Sequence, residues 1–511
     1  MSDWTAGYVT DIGYTYGYYG ELNPLRIRLA FIYAGLVPPT ITSACELGFG
    51  QGLSVNFHAA ASATQWHGTD FNPTHAAFAQ ELAEASGAAA RLRDDAFDQF
   101  AARSDLPDFD FIGLHGIWTW ISDANRTVLV DLVRRKLKVG GVLYISYNSL
   151  PGWAAFAPMR HLMNEHAAII GATGQGIVPR ADAAIEFAEK LLQTNPLYAG
   201  ANPQVGERIA RIKGQDRNYL AHEYFNRDWA PMHFSDLAHW LAPAKVTYAC
   251  SAHYPDHVNA INMTAEQLTF LAAVPDRVLR ETVRDLMVNQ QFRRDYFVKG
   301  ARPLGVLAQA EAMRAQPVLR VSPRRDVPLT VKGAMGEAKL LEPIYNPILD
   351  LIADHNVRTI GQICDAVASQ GVPAGQVLEA ILVLAGIGHV VPVQGQTATR
   401  TAKNQTDRLN AHLLDKARGG HEVAFLASPV SGGAVAVGRF PQLFLLARAQ
   451  GRKQPAEWAD FVWKMLQQQG QHLLKDGKAL ATDGENLAEL RARAEDFAQD
   501  QLPILKALQI A

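Results

Sequence analysis

Between residues 41 and 148 short apolar runs alternate with stretches of helical spacing, and this alternation limits the fold more than any other feature. Residues 41–47 form an apolar run stopped by glycines, and 53–63 read as a helix. Residues 65–70 predict a second strand and 73–86 a second helix. Residues 110–114 predict a buried strand, and 123–137 an amphipathic helix capped by Ser122 or Asp123. Gly140-Gly141 then turns the chain into another buried strand at 142–147. Strands and helices in this order imply an α/β fold with a parallel sheet covered on both faces.

The rest of the chain adds to that sheet. Tyr14, Tyr16, Tyr18 and Tyr19 crowd a stretch broken by Gly13, Gly17 and Gly20, ahead of a helix over 24–35. Residues 155–225 read as helices with no strand, an insertion. A helix at 234–241 and a strand at 246–250 resume the sheet pattern, and 265–300 look helical. Helices at 346–354, 359–368 and 374–385 followed by a strand at 390–393 resemble a winged helix. Residues 394–405 are polar and mildly basic, a linker, and the tail is helical apart from a hairpin at 423–437.

Composition narrows the function. A chain of 511 residues has room for about three domains. With 48 Lys+Arg against 50 Asp+Glu it has no overall field to attract nucleic acid. No run approaches the ~18 apolar residues of a membrane span, and the N-terminus lacks a signal-peptide layout. Cys45, Cys250 and Cys364 are too few and too scattered for a disulfide framework, which fits a cytoplasmic protein.

The chemistry starts at Cys45-Glu46-Leu47-Gly48-Phe49-Gly50-Gln51-Gly52, at the end of the first strand and the opening of a helix. Glycines there let the backbone turn tightly against a ligand. A dinucleotide fingerprint would want glycine where Leu53 stands, and no lysine is present to grip a phosphate. The turn therefore suits a nucleoside without a pyrophosphate, with Glu46 placed to meet a cationic amine; a merely structural turn is the alternative. Asp70 ends the second strand eighteen positions after Gly52, where an acid accepts from both ribose hydroxyls or caps the next helix. Asp94-Asp95-Ala96 could reach an adenine amino group or serve as a loop carboxylate.

These motifs resemble class I S-adenosylmethionine-dependent methyltransferases. Residues 46–52 look like that family's first motif, Asp70 like its ribose acid, and 138–143 like the turn before its fifth strand. Residues 146–153, 219–224, 231–234 and 289–297 are similar to bacterial methyltransferases with a methyltransferase regulatory domain, some of which methylate lysines of surface proteins. The resemblance implies a Rossmann-like methyltransferase sheet with a helical insertion, a helical regulatory region and a winged-helix-like C-terminal region. The expected divisions are a 1–40 aromatic cap, a 41–154 cofactor-binding core, a 155–225 insertion, a 226–315 sheet end and regulatory region, a 316–393 winged-helix-like domain and a 394–511 helical domain. The implied cofactor is S-adenosyl-L-methionine, held by Glu46, Gly48, Phe49, Gly50, Gly52, Asp70, Asp95, Ala96, His115 and Gly116.

Methyl transfer needs an in-line nucleophile, a proton acceptor and a dry pocket, and aromatic faces suit a sulfonium or an ammonium. The candidate catalytic residues are Tyr16, Tyr18, Tyr147, Asn148 and His222, with packing as the alternative for each tyrosine. Trp118 and Trp120 read as core or adenine-side packing. His253, His257 and Asp256 have a metal-like spacing without a third ligand or a clear helix, so no metal is expected. The leading acceptor is a protein lysine amine. The alternatives are a small-molecule O- or N-methyltransferase, or a protein that holds the cofactor without turnover. The partners expected are a protein acceptor, no nucleic acid, no membrane span, and at most a second copy in a homodimer.

Overall fold

The computed structural model describes residues 15–171 and 173–511, so Tyr14 and the start of the aromatic cap lie outside the described residues. Seven strands form one sheet: β1 (Ser43–Leu47), β2 (Gln65–Thr69), β3 (Ala90–Arg93), β4 (Phe109–Leu114), β5 (Leu137–Asn148), β6 (Thr247–Ser251) and β7 (Phe292–Val298). Their order is β3-β2-β1-β4-β5-β7-β6. The first five strands pair in parallel, and β7 runs antiparallel to both β5 and β6. Every residue of β1 is buried, as a central strand covered on both faces must be. The strand order reverses between β1 and β4, and ligand clefts of such sheets open there, beyond the carboxyl ends.

Helices α1 (Pro24–Tyr33), α2 (Leu53–Ala61), α3 (Pro73–Ser86), α4 (Phe97–Ala101) and α5 (Asp123–Lys136) cover the first half of this sheet. Sequence chemistry sets their ends. Asn72 Oδ1 accepts from Thr74 N at 2.9 Å, Pro73 opens α3, and Gly87 closes it at φ +68°. Ser122 caps α5 through Asn125 N, and Arg134, Arg135 and Lys136 face its negative end.

Three expectations are corrected. Gly140-Gly141 does not turn the chain into β5. The strand begins at Leu137, and the glycines lie inside it, where its register against β4 shifts. Residues 265–300 are not all helical: after helices Ala265–Ala272 and Arg277–Met287 the chain forms β7. The charged Arg293, Arg294 and Asp295 hide that strand in the sequence, and Arg293 and Asp295 pair inside the core. Residues 394–405 are not a linker, because 396 onward belongs to helix Gln396–Lys416. That helix buries Thr399, Ala402, Thr406, Leu409 and Leu413 at helical spacing and turns its polar residues outward.

The C-terminal region is docked on helices of the seven-stranded sheet. Leu409 and Leu413 share a core with Leu53, Phe57 and Leu82. A hairpin of Phe425–Ser428 and Gly433–Ala436 packs beside α2, and Asn23 donates to Ser431 O at 3.0 Å. Helices Glu342–Leu351, Ile360–Val367 and Ala374–Gly386 sit with a three-stranded antiparallel sheet of Pro317–Arg320, Arg358–Thr359 and Val390–Pro392. The Ala374–Gly386 helix is buried from Ala380 to Ala385, and Arg26 of α1 donates to its Ala385 O at 3.0 Å. Among the described residues no helix is long and apolar enough to cross a membrane.

Candidate active site

A cleft of about 780 Å³, its open mouth included, lies beyond the carboxyl ends of β1, β2 and β4. Its floor is the turn after β1. Gly48 sits at φ +71°, and a Cβ there would meet Ile117 Cδ1 at 2.4 Å. Gly52 is also left-handed, and a Cβ would meet Ala79 Cβ at 2.4 Å, so glycine lets α2 and α3 pack at the turn. Asp70 stands at the end of β2 and organises the floor. One carboxylate oxygen accepts from Gly50 N at 2.8 Å, and the other accepts from Asn72 N at 3.1 Å and lies 3.1 Å from His75 Nδ1.

Glu46 lies beneath this turn, 2 % exposed, and its Oε2 has no hydrogen-bond partner. Burial, reinforced by the Asp70 charge, pushes its carboxyl up to about 8. The opposite wall is His115-Gly116 after β4. His115 Nδ1 is hydrogen-bonded to the Tyr144 hydroxyl at 2.8 Å, and Gly116 N donates to Ser146 Oγ at 2.7 Å. Burial pulls the imidazole down to about 4, so it is neutral at physiological pH. Tyr19 stacks on it with ring centroids 3.5 Å apart.

Of the residues the sequence singles out, Gly48, Phe49, Gly50, Asp70, His115 and Gly116 line this cleft, as does Trp120. Glu46 lies immediately below them, and Gly52 closes the turn as the N-cap of α2. Asp95 and Ala96 do not line it. The Asp95 carboxylate pairs with Arg103 at 3.3 Å, Ala96 N donates to Gln99 at 3.0 Å, and the neighbouring Phe97 forms the wall instead.

None of the five catalytic candidates lines the cleft, though Asn148 shares the cleft-side face of β5 with Tyr144 and Ser146. Along residues 15–19 alternate side chains face opposite ways, although Gly17 N donates to Thr15 O at 3.2 Å and the segment forms no strand. Thr15, Gly17 and Tyr19 line the cleft, while Tyr16 packs on Phe78 and Tyr18 packs among Phe57, His58 and Phe425. The same alternation decides β5. Tyr144 and Ser146 face the cleft side, and Tyr147 points the other way, fully buried, donating to Asp295 at 3.0 Å. Asn148 is buried at the strand end, where Nδ2 meets Thr119 Oγ1 at 3.5 Å and its carbonyl accepts from Met232 N. His222 is buried in the helical insertion, outside the cleft. Sequence reading also missed Tyr19, Gln51, His75 and Ile117 in and around the cleft. A period-two reading of 15–19 would have separated Tyr19 from Tyr16 and Tyr18.

A doubly wound sheet with a glycine-floored cleft, an acid at the end of its second strand and a buried carboxylate beneath the turn defines a Rossmann-like methyltransferase fold. The fold matches PKMT2 of Rickettsia typhi, solved in complex with AdoHcy, at a TM-score of 0.69 over 98 % of this chain and 100 % of that one, with 16 % identity. Residues 216–299 match the model of a predicted methyltransferase regulatory domain. The Synechocystis protein sll1526 is 38 % identical over 99 % of this chain and its own full length. Rickettsia prowazekii RP789 is 24 % identical over 54 % of this chain and 49 % of its own. The chain belongs to the same family as Synechocystis sll1526, with a predicted methyltransferase regulatory domain over 216–299 and the Rossmann-like fold of PKMT2.

Proposed function

We propose that this protein binds S-adenosyl-L-methionine in the cleft of Gly48, Asp70 and His115 and transfers its methyl group to a lysine amine of a protein. The observation that carries the cofactor is the donor set. Asp70, in the cleft lining at the end of β2, would accept from ribose hydroxyls, and the buried, unpartnered Glu46 oxygen would meet a cationic amine. Phe97, Ile117 and Trp120 offer apolar faces to an adenine, with no base for a phosphate in the turn. When bound, the cofactor supplies an activated methyl on a sulfonium.

The chain's own residues do the rest. Tyr19 and the neutral His115 replace the earlier tyrosine candidates as the groups facing the acceptor. A neutral imidazole and a phenol can hold an amine by hydrogen bonds without repelling it as a second cation would. Tyr144 fixes the ring of His115 from below, and the stacked Tyr19 covers it from above, which excludes water from that wall. The likeness to PKMT2 and the long docked C-terminal region support a polypeptide acceptor. Three buried, unbridged thiols support a reducing compartment such as the cytoplasm.

The test is methyl-labelled S-adenosylmethionine incubated with the protein and a lysate, followed by acid hydrolysis of the labelled fraction. Labelled protein bands yielding methylated lysine are expected. Label in small molecules alone would move the reading to a small-molecule methyltransferase, and no label at all to a cofactor-holding protein.

A further inference from the structure

The helical insertion holds a second cavity, of about 1110 Å³ with its open mouth, lined by Arg160, His161, Arg180 and Arg227 against Glu165 alone. Arg160 is its most enclosed charge, at 5 % exposure. One guanidinium nitrogen donates to Asn226 O at 3.1 Å, while Nε has no partner. Buried charges are ordinarily paired, so an arginine with a buried, unpartnered Nε beside a cavity calls for an anion. Burial pulls Arg160 down to about 9, and the carboxylate that opposes this, Glu223, is itself pushed up to about 7, leaving its charge incomplete at neutral pH.

Trp229 of this cavity packs on Trp120 of the cofactor cleft, with ring centres 6.3 Å apart. The Arg160 guanidinium lies 4.3 Å from the Trp229 ring centre and 5.5 Å from that of Trp120, and Trp120 lines the cleft. A ligand seated here is therefore beside the place where the acceptor must enter. A lysine ammonium is a poor occupant, because Arg160 covers Trp229 and Arg208 covers Trp153 at 3.8 Å. Like charge and occupied ring faces both oppose it.

We propose that this cavity binds a side-chain carboxylate of the acceptor polypeptide, from an acidic residue flanking the methylated lysine. The planar arginine fork matches a carboxylate in two-point contact, and Arg160, Arg180 and Arg227 line the cavity with Glu165 as its one acidic lining residue, although Arg227 also pairs with Asp228 at 3.4 Å. This assignment rests on the protein-acceptor reading above. It adds a sequence preference, acidic neighbours around the target lysine, that the cofactor cleft alone does not impose.

The test uses the full chain and a fluorescent short peptide with a central lysine flanked by glutamates, read by anisotropy, with its glutamine counterpart as control. The glutamate peptide is expected to bind at least about tenfold more tightly than the glutamine peptide, with affinity falling as salt rises. Arg180→Gln and Arg227→Gln, both at the cavity rim, should each erase most of that difference while S-adenosylhomocysteine binding stays unchanged. Equal binding of the two peptides, or binding untouched by both variants, overturns the proposal. Inorganic phosphate displacing the peptide with equal affinity also overturns it, because the pocket then takes any free anion. Peptide failure with intact S-adenosylhomocysteine binding refutes this inference alone, whereas loss of S-adenosylhomocysteine binding by the unmutated chain refutes the methyltransferase reading.

Discussion

Arg293→Met should lower the unfolding stability of the protein by about 3–5 kcal/mol near neutral pH, the usual cost of removing one partner from a buried ion cluster. Arg293 is 3 % exposed on β7. Its guanidinium pairs with Asp295 at 2.7 Å and Glu281 at 2.9 Å and also with Asp285, while Phe234 lies against its face at 4.4 Å. Without it, three carboxylates would face one another inside the protein. That loss is a large share of the roughly 5–15 kcal/mol by which a domain is stable. Burial pushes the Asp295 carboxyl up to about 6 even with Arg293 present. Without Arg293 the acids would titrate higher still, so the deficit should shrink as pH falls toward about 6 and level off below it, where the acids are neutral in both proteins. Urea unfolding at pH 7.5 and pH 5 checks both statements. A variant as stable as the parent at pH 7.5 would show that the cluster does not hold β7 in the sheet. Tyr147 donates into this cluster, so Tyr147→Phe belongs with it as a stability change and should leave cofactor affinity intact.

The second large effect concerns Glu46 and protons. In the free protein its carboxyl stands at about 8 against an ordinary 4.5, with burial as the main cause and the Asp70 charge second. An acid raised in the folded state costs stability only when ionised. The free protein should thus lose stability as pH climbs from about 4.5 to 8, at most roughly 1.4 kcal/mol per pH unit, with the loss complete above 8. A cationic amine seated against the carboxylate would pull its pKa back down. Binding of S-adenosylhomocysteine at pH 7 should therefore release close to one proton, roughly 0.9, because Glu46 starts mostly protonated. Calorimetry in two buffers of different ionisation enthalpy measures this directly. Glu46→Gln should abolish the buffer dependence and weaken binding. A binding enthalpy independent of buffer in the unmutated protein would mean that Glu46 does not meet the amine.

The sheet was legible because its strands obey simple rules. Residues 41–47, 65–70 and 110–114 are short runs between glycines and helix caps, and α3 has its asparagine cap, first-turn proline and closing glycine in plain view. The cofactor floor was legible for the same reason: glycines and an acid at strand ends are local signals. β7 was not, because its charged residues are neutralised by Glu281 and Asp285 from a distant helix, which no local pattern shows. The acceptor side failed on facing rather than on identity. The aromatic segment and the end of β5 do border the cleft, yet Tyr16, Tyr18 and Tyr147 stand on the wrong side of the chain. Asn148 was placed by its position after the fifth strand and is buried there against Thr119 and Met232, while His222 is buried by the insertion's packing, which sequence spacing does not encode.

Equilibrium dialysis of labelled S-adenosylmethionine against the unmutated protein and Asp70→Ala tests the central claim, that this cleft is the cofactor site. Asp70 holds Gly50 N, Asn72 N and His75 and would accept from the ribose. Losing a charged acceptor of that kind costs about 1.5–3 kcal/mol per hydrogen bond. The account predicts one saturable site in the unmutated chain and at least about tenfold weaker binding in the variant, with the variant still folded by circular dichroism. No binding by the unmutated chain, or equal binding by a folded Asp70→Ala variant, would contradict it.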